Sequence, residues 1–327
     1  MSIDIGRESR PTEPAVDLAP DSRPGIGSRL KRHFSRYWQL WVMVAPSVIF
    51  TIIFAYIPMY GIQLAFREFS PLKGLTGGTW VGLKYFRQFF ESPLFWDLMR
   101  NTVMISLSTL VLGFITPILL ALVINQLIRS RIKKWVQTIT YLPHFISIVV
   151  IVGMLQVFLS PGTGILTRAI EALGFDAGNL MGSTTAFVPV YVISEIWQHT
   201  GWNSIIYLAA LAGVSTDLYE AAKIDGANRF QIIRNVDIPA LVPTMVILLI
   251  LNMGGVLNAG FEKIFLMQNT LNLPVSEVIS TYVYKIGILN SQFSYSTAIG
   301  LFNTVINFAF LVAANQIAKR VSDTSLW

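Results

Sequence analysis

Five long stretches of this chain contain no Asp, Glu, Lys or Arg: 37–66, 101–128, 135–167, 238–261 and 286–318. A hydrocarbon layer roughly 30 Å thick takes about 20 helical residues to cross. Each stretch is long enough, and together they are too long and too many for the buried helices of a soluble core. Only 13% of the 327 residues are charged, against about a quarter in an average soluble domain. The chain therefore reads as an all-α integral membrane protein. It contains no cysteine, which excludes a disulfide framework, a thiol nucleophile and any Cys-ligated metal. The net charge of +6 would suit nucleic acid, but its distribution argues for membrane orientation and no nucleic acid is expected as a partner.

Six spans are expected near 40–61, 102–125, 139–160, 186–210, 239–258 and 296–317. An even number puts both termini on one side. With that side as the cytoplasm, the inside segments hold 16 of the 24 Lys and Arg, as the positive-inside rule requires. Residues 1–28 read as a disordered tail, without the apolar region of a signal peptide. Residues 29–39 read as a basic interfacial segment, 40–318 as the transmembrane domain, and 319–327 as a cytoplasmic C-tail. Pro46, Pro58, Pro117, Pro143, Pro189 and Gly254-Gly255 fall within spans. Such breaks need neighbouring helices or a wet cavity, so a packed bundle with an internal path is expected. The segments 63–100 and 161–185 are long enough for short helices. Asn101 and Trp80-Val81-Gly82-Leu83-Lys84-Tyr85-Phe86 point to a folded external loop.

The most informative stretch is the loop 217–239, between the fourth and fifth spans. Asp217 with Glu220 suggests an N-cap and capping box, with a helix from Leu218 to about Ile224. Asp225-Gly226 is a turn signal. A second helix is expected from about Ala227 to Val236, and Pro239 opens the next span. The small face of Ala221, Ala222 and Gly226 would let another protein's backbone come close. The result is a short cytoplasmic helix–turn–helix.

This stretch resembles the EAA signature of permease subunits in binding-protein-dependent ABC importers. Glu220, Ala221, Ala222, Gly226, Val236 and Pro239 match it, with Val236 for the usual Ile and Ile238 for the usual Leu. Asp225-Gly226-Ala227 is similar to the carbohydrate branch. Phe261-Glu262-Lys263-Ile264-Phe265-Leu266-Met267, Thr281-Tyr282-Val283-Tyr284-Lys285 and Ser325-Leu326-Trp327 resemble the LplB-type polysaccharide subfamily, over about 30–327. The resemblance implies a second permease subunit, two ATPase subunits with 217–239 coupling this chain to an ATPase, an extracytoplasmic sugar-binding protein and alternating access in a bacterial cytoplasmic membrane. The substrate implied is an oligosaccharide or polysaccharide, with alginate-type uronates one candidate. The basic residues of 84–100 are compatible with an acidic ligand. The chain has no Gly-x-x-x-x-Gly-Lys-Ser/Thr, so ATP and Mg would bind the partner ATPase and no cofactor this chain.

Polar groups within spans are costly and face a cavity or a neighbouring helix. Glu195, Gln198, His199, Trp202 and Asn203 share one helical stripe and read as a substrate path. Asn252, Asn258, Asn303 and Asn307 suit either that path or inter-helix hydrogen bonds, and each single Asn favours the latter. His144 follows Pro143 and reads as structural. His199 and Glu195 stand alone, without metal-ligand spacing. A secondary transporter or channel would show charged coupling residues in several spans, whereas here only Glu195 qualifies. An intramembrane enzyme would show paired carboxylates, a Ser–His pair or a metal site. None is visible.

Overall fold

The computed structural model describes residues 36–72, 74, 77–258 and 260–321. The tail 1–28, most of the basic segment 29–39, and Ser325-Leu326-Trp327 lie outside them. Among the described residues the chain is helical, with two isolated β-bridges and no strand. It divides into two units, Met1–Tyr60 and Gly61–Trp327.

In the first unit, α1 (Trp38–Thr51) continues through a π-turn at Ile52–Tyr56 to Ile57–Met59. The π-turn lies just before Pro58. Proline has no N–H to donate, and its ring crowds the preceding turn. One wider turn, closed by Ile57 N–H onto the Ile52 carbonyl, accommodates both effects. This helix is apolar all round, with the consecutive Trp41, Val42, Met43 and Val44 all exposed. That pattern suits hydrocarbon, since a water-facing helix would show a polar side.

The second unit contains α2 (Lys84–Phe90), α3 (Phe95–Asn125), α4 (Ser130–Tyr141), α5 (Ile148–Phe158), α6 (Ile165–Ala172) and α7 (Phe187–Ala212). These are followed by α8 (Thr216–Ile224), α9 (Arg229–Ile232), α10 (Ile238–Met253), α11 (Phe261–Met267), α12 (Leu273–Ser276), α13 (Ile279–Tyr284) and α14 (Phe293–Val321). Four helical runs are long and apolar enough to cross a membrane: Trp38–Phe66, Phe95–Asn125, Arg229–Met253 and Phe293–Arg320. The number rises to six if each of two bent pairs counts as one span. One pair is Ser130–Phe145 with Ile148–Phe158, bent by 99°; the other is Phe187–Ala212 with Thr216–Ile224, bent by 75°. By its length alone α7 would reach about 39 Å at 1.5 Å per residue.

Three expectations change here. The stretch 139–160 is not one straight span. A 3₁₀ turn over Leu142–Phe145 contains Pro143, and α5 restarts beyond Ser147, whose side chain caps Val150 N–H at 3.4 Å. The helix expected to open at Pro239 starts earlier. The helix begins at Arg229 and passes Pro239 through a second π-turn, Ile233–Asp237, placed like the one before Pro58. It ends at Met253, so Asn258 lies in the turn beyond it.

The core is built on α3 lying along α7. At one end Ile105, Tyr191, Val192 and Ile264 belong to a buried apolar cluster. At the other, Ile118, Leu122, Tyr207 and Leu241 belong to a second. A third joins α2, α3, α13 and α14 through Phe89, Leu98, Ile279 and Tyr295. Asn101 donates to the carbonyls of Pro274 (2.9 Å) and Glu277 (3.1 Å), pinning the start of α3 to α12. Trp80 stacks on Phe66 at 5.6 Å, so the loop before α2 is folded.

Close approach of α4 to α7 depends on Gly201. A Cβ there would collide with the Thr140 carbonyl. Small residues allow such contacts between membrane helices. Gly201→Leu is expected to cost about 1–3 kcal/mol by overpacking. The check is the thermal unfolding midpoint of the detergent-solubilised protein, which should fall.

Candidate functional site

Between the first two apolar clusters the α3–α7 interface becomes polar. The α3 side carries Ser106, Thr109 and Gly113; the α7 side carries Glu195, His199 and Asn203. Both triplets follow helical spacing, so each forms a single stripe. Asn252 of α10 and Asn258 help to close a cavity of about 370 Å³ between them. The hydroxyls of Ser106 and Thr109 are buried without a hydrogen-bond partner. Buried polar groups are seldom left so, and an unpartnered pair at a cavity wall marks a place for a polar guest or water.

The charges at this cavity are paired. Lys263 is 2% exposed, and its Nζ donates to Glu195 Oε2 at 2.8 Å. The ammonium also lies 5.4 Å from the centre of the Tyr191 ring. Glu195 Oε1 is 3.3 Å from His199 Nε2. His199 Nδ1 lies 3.2 Å from His144 Nδ1, close enough for one ring nitrogen to donate to the other. His144 in turn stacks on Trp202 at 4.5 Å. So neither His199 nor Glu195 stands alone, as the sequence suggested. A chain of contacts runs from Lys263 of α11, through α7, to the break between α4 and α5.

The expected path residues divide into two groups. Glu195, His199, Asn203, Asn252 and Asn258 line the cavity. Gln198, Trp202 and Asn303 do not. Gln198 is buried and donates to the Ile146 carbonyl at 3.2 Å, serving a backbone group freed by the α4–α5 break. Trp202 packs on His144 and Phe145. Asn303 and Asn307 both donate to Asn258 Oδ1, at 3.0 and 3.1 Å. Sequence reasoning missed Ser106, Thr109 and Lys263. The spacing of 106, 109 and 113 on one face was a usable signal for the first two. Lys263 stood within the 261–267 stretch that carries the subfamily resemblance, but only the fold brings α11 against α7 and gives it Glu195.

The loop 217–239 has its own internal logic. The N-cap of α8 is Ser215, whose hydroxyl accepts from Asp217 N–H at 3.2 Å. This corrects the expected Asp217–Glu220 capping box: Glu220 lies beyond the third helical position and is exposed. The turn after α8 closes with Ala227 N–H on the Ala222 carbonyl (2.9 Å) and Gly226 N–H on the Lys223 carbonyl (3.1 Å). Gly226 has φ +77°. This is a Schellman motif, which places glycine four residues after Ala222. The true capping box belongs to α9, where Asn228 and Gln231 exchange bonds of 2.7 and 2.9 Å. Ala221, Asp225 and Gly226 are exposed, Ala222 and Ala227 half-buried, and Pro239 lies within the Arg229–Met253 helix. Leu218, Ile224 and Phe230 are exposed on the same loop.

The family model described as "binding-protein-dependent transport system inner membrane component" matches residues 113–323. The chain belongs to this family. It is 38% identical to Protein LplB of Bacillus subtilis over 316 residues, 97% of this chain and 99% of that one. It is 39% identical to the polygalacturonan/rhamnogalacturonan transport system permease protein YteP of Bacillus subtilis, over 88% of this chain and 90% of that one. Among solved structures it matches a chain of a bacterial alginate ABC transporter in complex with alginate pentasaccharide-bound periplasmic protein. The TM-score is 0.84 at 38% identity, covering 91% of this chain and 100% of that chain. The protein is therefore a multi-pass membrane permease with the ABC permease fold.

Proposed function

We propose that this permease carries an oligosaccharide or polysaccharide fragment inward, and that uronate-containing chains are its substrates. The observation that carries this reading is the cavity between α3 and α7. Its walls present hydroxyls, amides and a carboxylate, the groups that exchange hydrogen bonds with sugar hydroxyls. The relatives named for polygalacturonan/rhamnogalacturonan and for alginate support acidic sugars as the first class to test. Six spans with both termini in the cytoplasm account for the basic loops. The loop 217–239 then faces the cytoplasm, and its exposed Leu218, Ile224 and Phe230 offer apolar side chains to a docked partner. One subunit of an ATPase pair docks there, ATP and Mg binding to that pair; a second permease completes the membrane pair. An extracytoplasmic binding protein delivers the sugar, as the periplasmic protein in the alginate complex suggests.

The test is purification of the membrane complex under mild conditions, followed by ATP hydrolysis with the cognate binding protein and a sugar panel. ATPase subunits should co-purify, and uronate oligosaccharides should stimulate hydrolysis more than neutral ones. Ser106→Ala with Thr109→Val should weaken that stimulation by about tenfold, the worth of one or two hydrogen bonds. Transport by a complex lacking any ATPase would refute the reading. Equal stimulation by neutral sugars would refute the substrate class alone.

A further inference from the structure

The base of the bundle holds a carboxylate that the transport path does not use. Asp237 is fully buried at the end of the π-turn Ile233–Asp237. Among the described residues no Lys, Arg or His pairs with it; the ion pairs found lie elsewhere. Its oxygens are instead held by three neutral donors from two other helical elements. Tyr219 Oη donates to Oδ1 at 2.7 Å and Asn125 Nδ2 to the same oxygen at 3.2 Å. Gln126 Nε2 donates to Oδ2 at 2.8 Å. Asn125 ends α3, and Gln126 is its C-cap. Tyr219 belongs to α8.

A buried charge without a counter-ion is costly and persists only when well hydrogen-bonded. The arrangement is also narrow. No residue of α8 is buried, and only Tyr219 and Ala222 are even half-buried. Among the described residues, Tyr219 makes the side-chain hydrogen bonds between α8 and the rest of the bundle. A π-turn is itself a frequent mark of a functional position in a helix. Here it sets the phase at which Asp237 meets Tyr219.

We infer that Asp237 and Tyr219 form a latch that fixes the angle of α8 to the ends of α3 and the Arg229–Met253 helix, so that a force on α8 moves both helices together. The inference rests on the reading of 217–239 as the ATPase-docking loop. Asp237 and Tyr219 act through other residues and are positioning groups; neither faces the cavity. Burial, followed by the Asp237 carboxylate, raises the Tyr219 phenol above its usual pKa, so it remains a donor.

The experiment uses the complete importer reconstituted in proteoliposomes, with sugar uptake and ATP hydrolysis measured together. Tyr219→Phe keeps the ring and removes the donor. Uptake per ATP should fall about tenfold, the size expected for a hydrogen bond to a charged group, while the ATPase subunits still co-purify. Asp237→Leu removes the acceptor and should lower uptake per ATP similarly, and the double variant should be no worse than the poorer single one, because both remove the same link. A merely structural effect would instead add in the double variant and lower assembly. Uptake per ATP at the wild-type ratio in assembled Tyr219→Phe complexes would overturn the latch. Ala221→Cys in the otherwise wild-type, cysteine-free chain tests the docking reading separately. Its crosslinking to an ATPase subunit supports docking whatever Tyr219→Phe does, and failure to crosslink removes the docking reading and the latch with it.

Discussion

Glu195→Ala is expected to destabilise the folded permease by about 3–5 kcal/mol, the cost of leaving one partner of a buried ion pair alone. Lys263 is 2% exposed, and in that variant its ammonium keeps only the Tyr191 ring, 5.4 Å away. Lys263→Met should be milder. Glu195 is 23% exposed and retains His199 at 3.3 Å, so its carboxylate still has a partner beside the cavity. The double variant Glu195→Ala with Lys263→Met should recover much of the loss, since no charge is then stranded. Thermal unfolding of the detergent-solubilised protein measures all three. A double variant no more stable than Glu195→Ala would mean that the pair does not act as a unit.

The second large effect belongs to the loop. Gly226 has φ +77°, and a Cβ there would meet nothing within 4 Å. Gly226→Val therefore introduces backbone strain of about 1–3 kcal/mol without an internal clash, opening the Schellman turn and leaving the bundle intact. Ala222→Trp places a large ring on the face between α8 and the bundle. Both are expected to abolish ATPase recruitment or to uncouple hydrolysis from uptake. Glu220→Ala should do far less, because Glu220 is exposed and outside the α8 cap. The check is ATPase co-purification, with permease folding followed separately by its unfolding transition. Full recruitment in Gly226→Val would show that the turn's shape does not govern docking.

Backbone details near prolines were only partly legible. Pro58 and Pro239 announce an interruption in an apolar run, but a proline can end, kink or be absorbed by a helix. In both places a π-turn absorbs it. Pro143 does the opposite, and the chain turns by 99° around it. Local sequence does not separate these outcomes. The break after Pro143 is tolerated because Gln198, 52 residues away, donates to the Ile146 carbonyl.

The class of protein follows from residue order alone. Charge-free runs of spanning length leave few alternatives, because the penalty for charge in hydrocarbon falls on each residue whatever its neighbours. So does the position of the loop 217–239, since a Schellman turn is local and places its glycine by spacing alone. Which polar residues share a cavity depends on how the helices pack. Glu195 and Trp202, seven residues apart, lie on one stripe of α7, yet Glu195 lines the cavity and Trp202 packs against the broken helix. Lys263 and Asp237 became a partner of Glu195 and a joint for Tyr219 through contacts 68 and 18 residues away. Such pairings depend on how helices cross, and no periodicity within one helix records that.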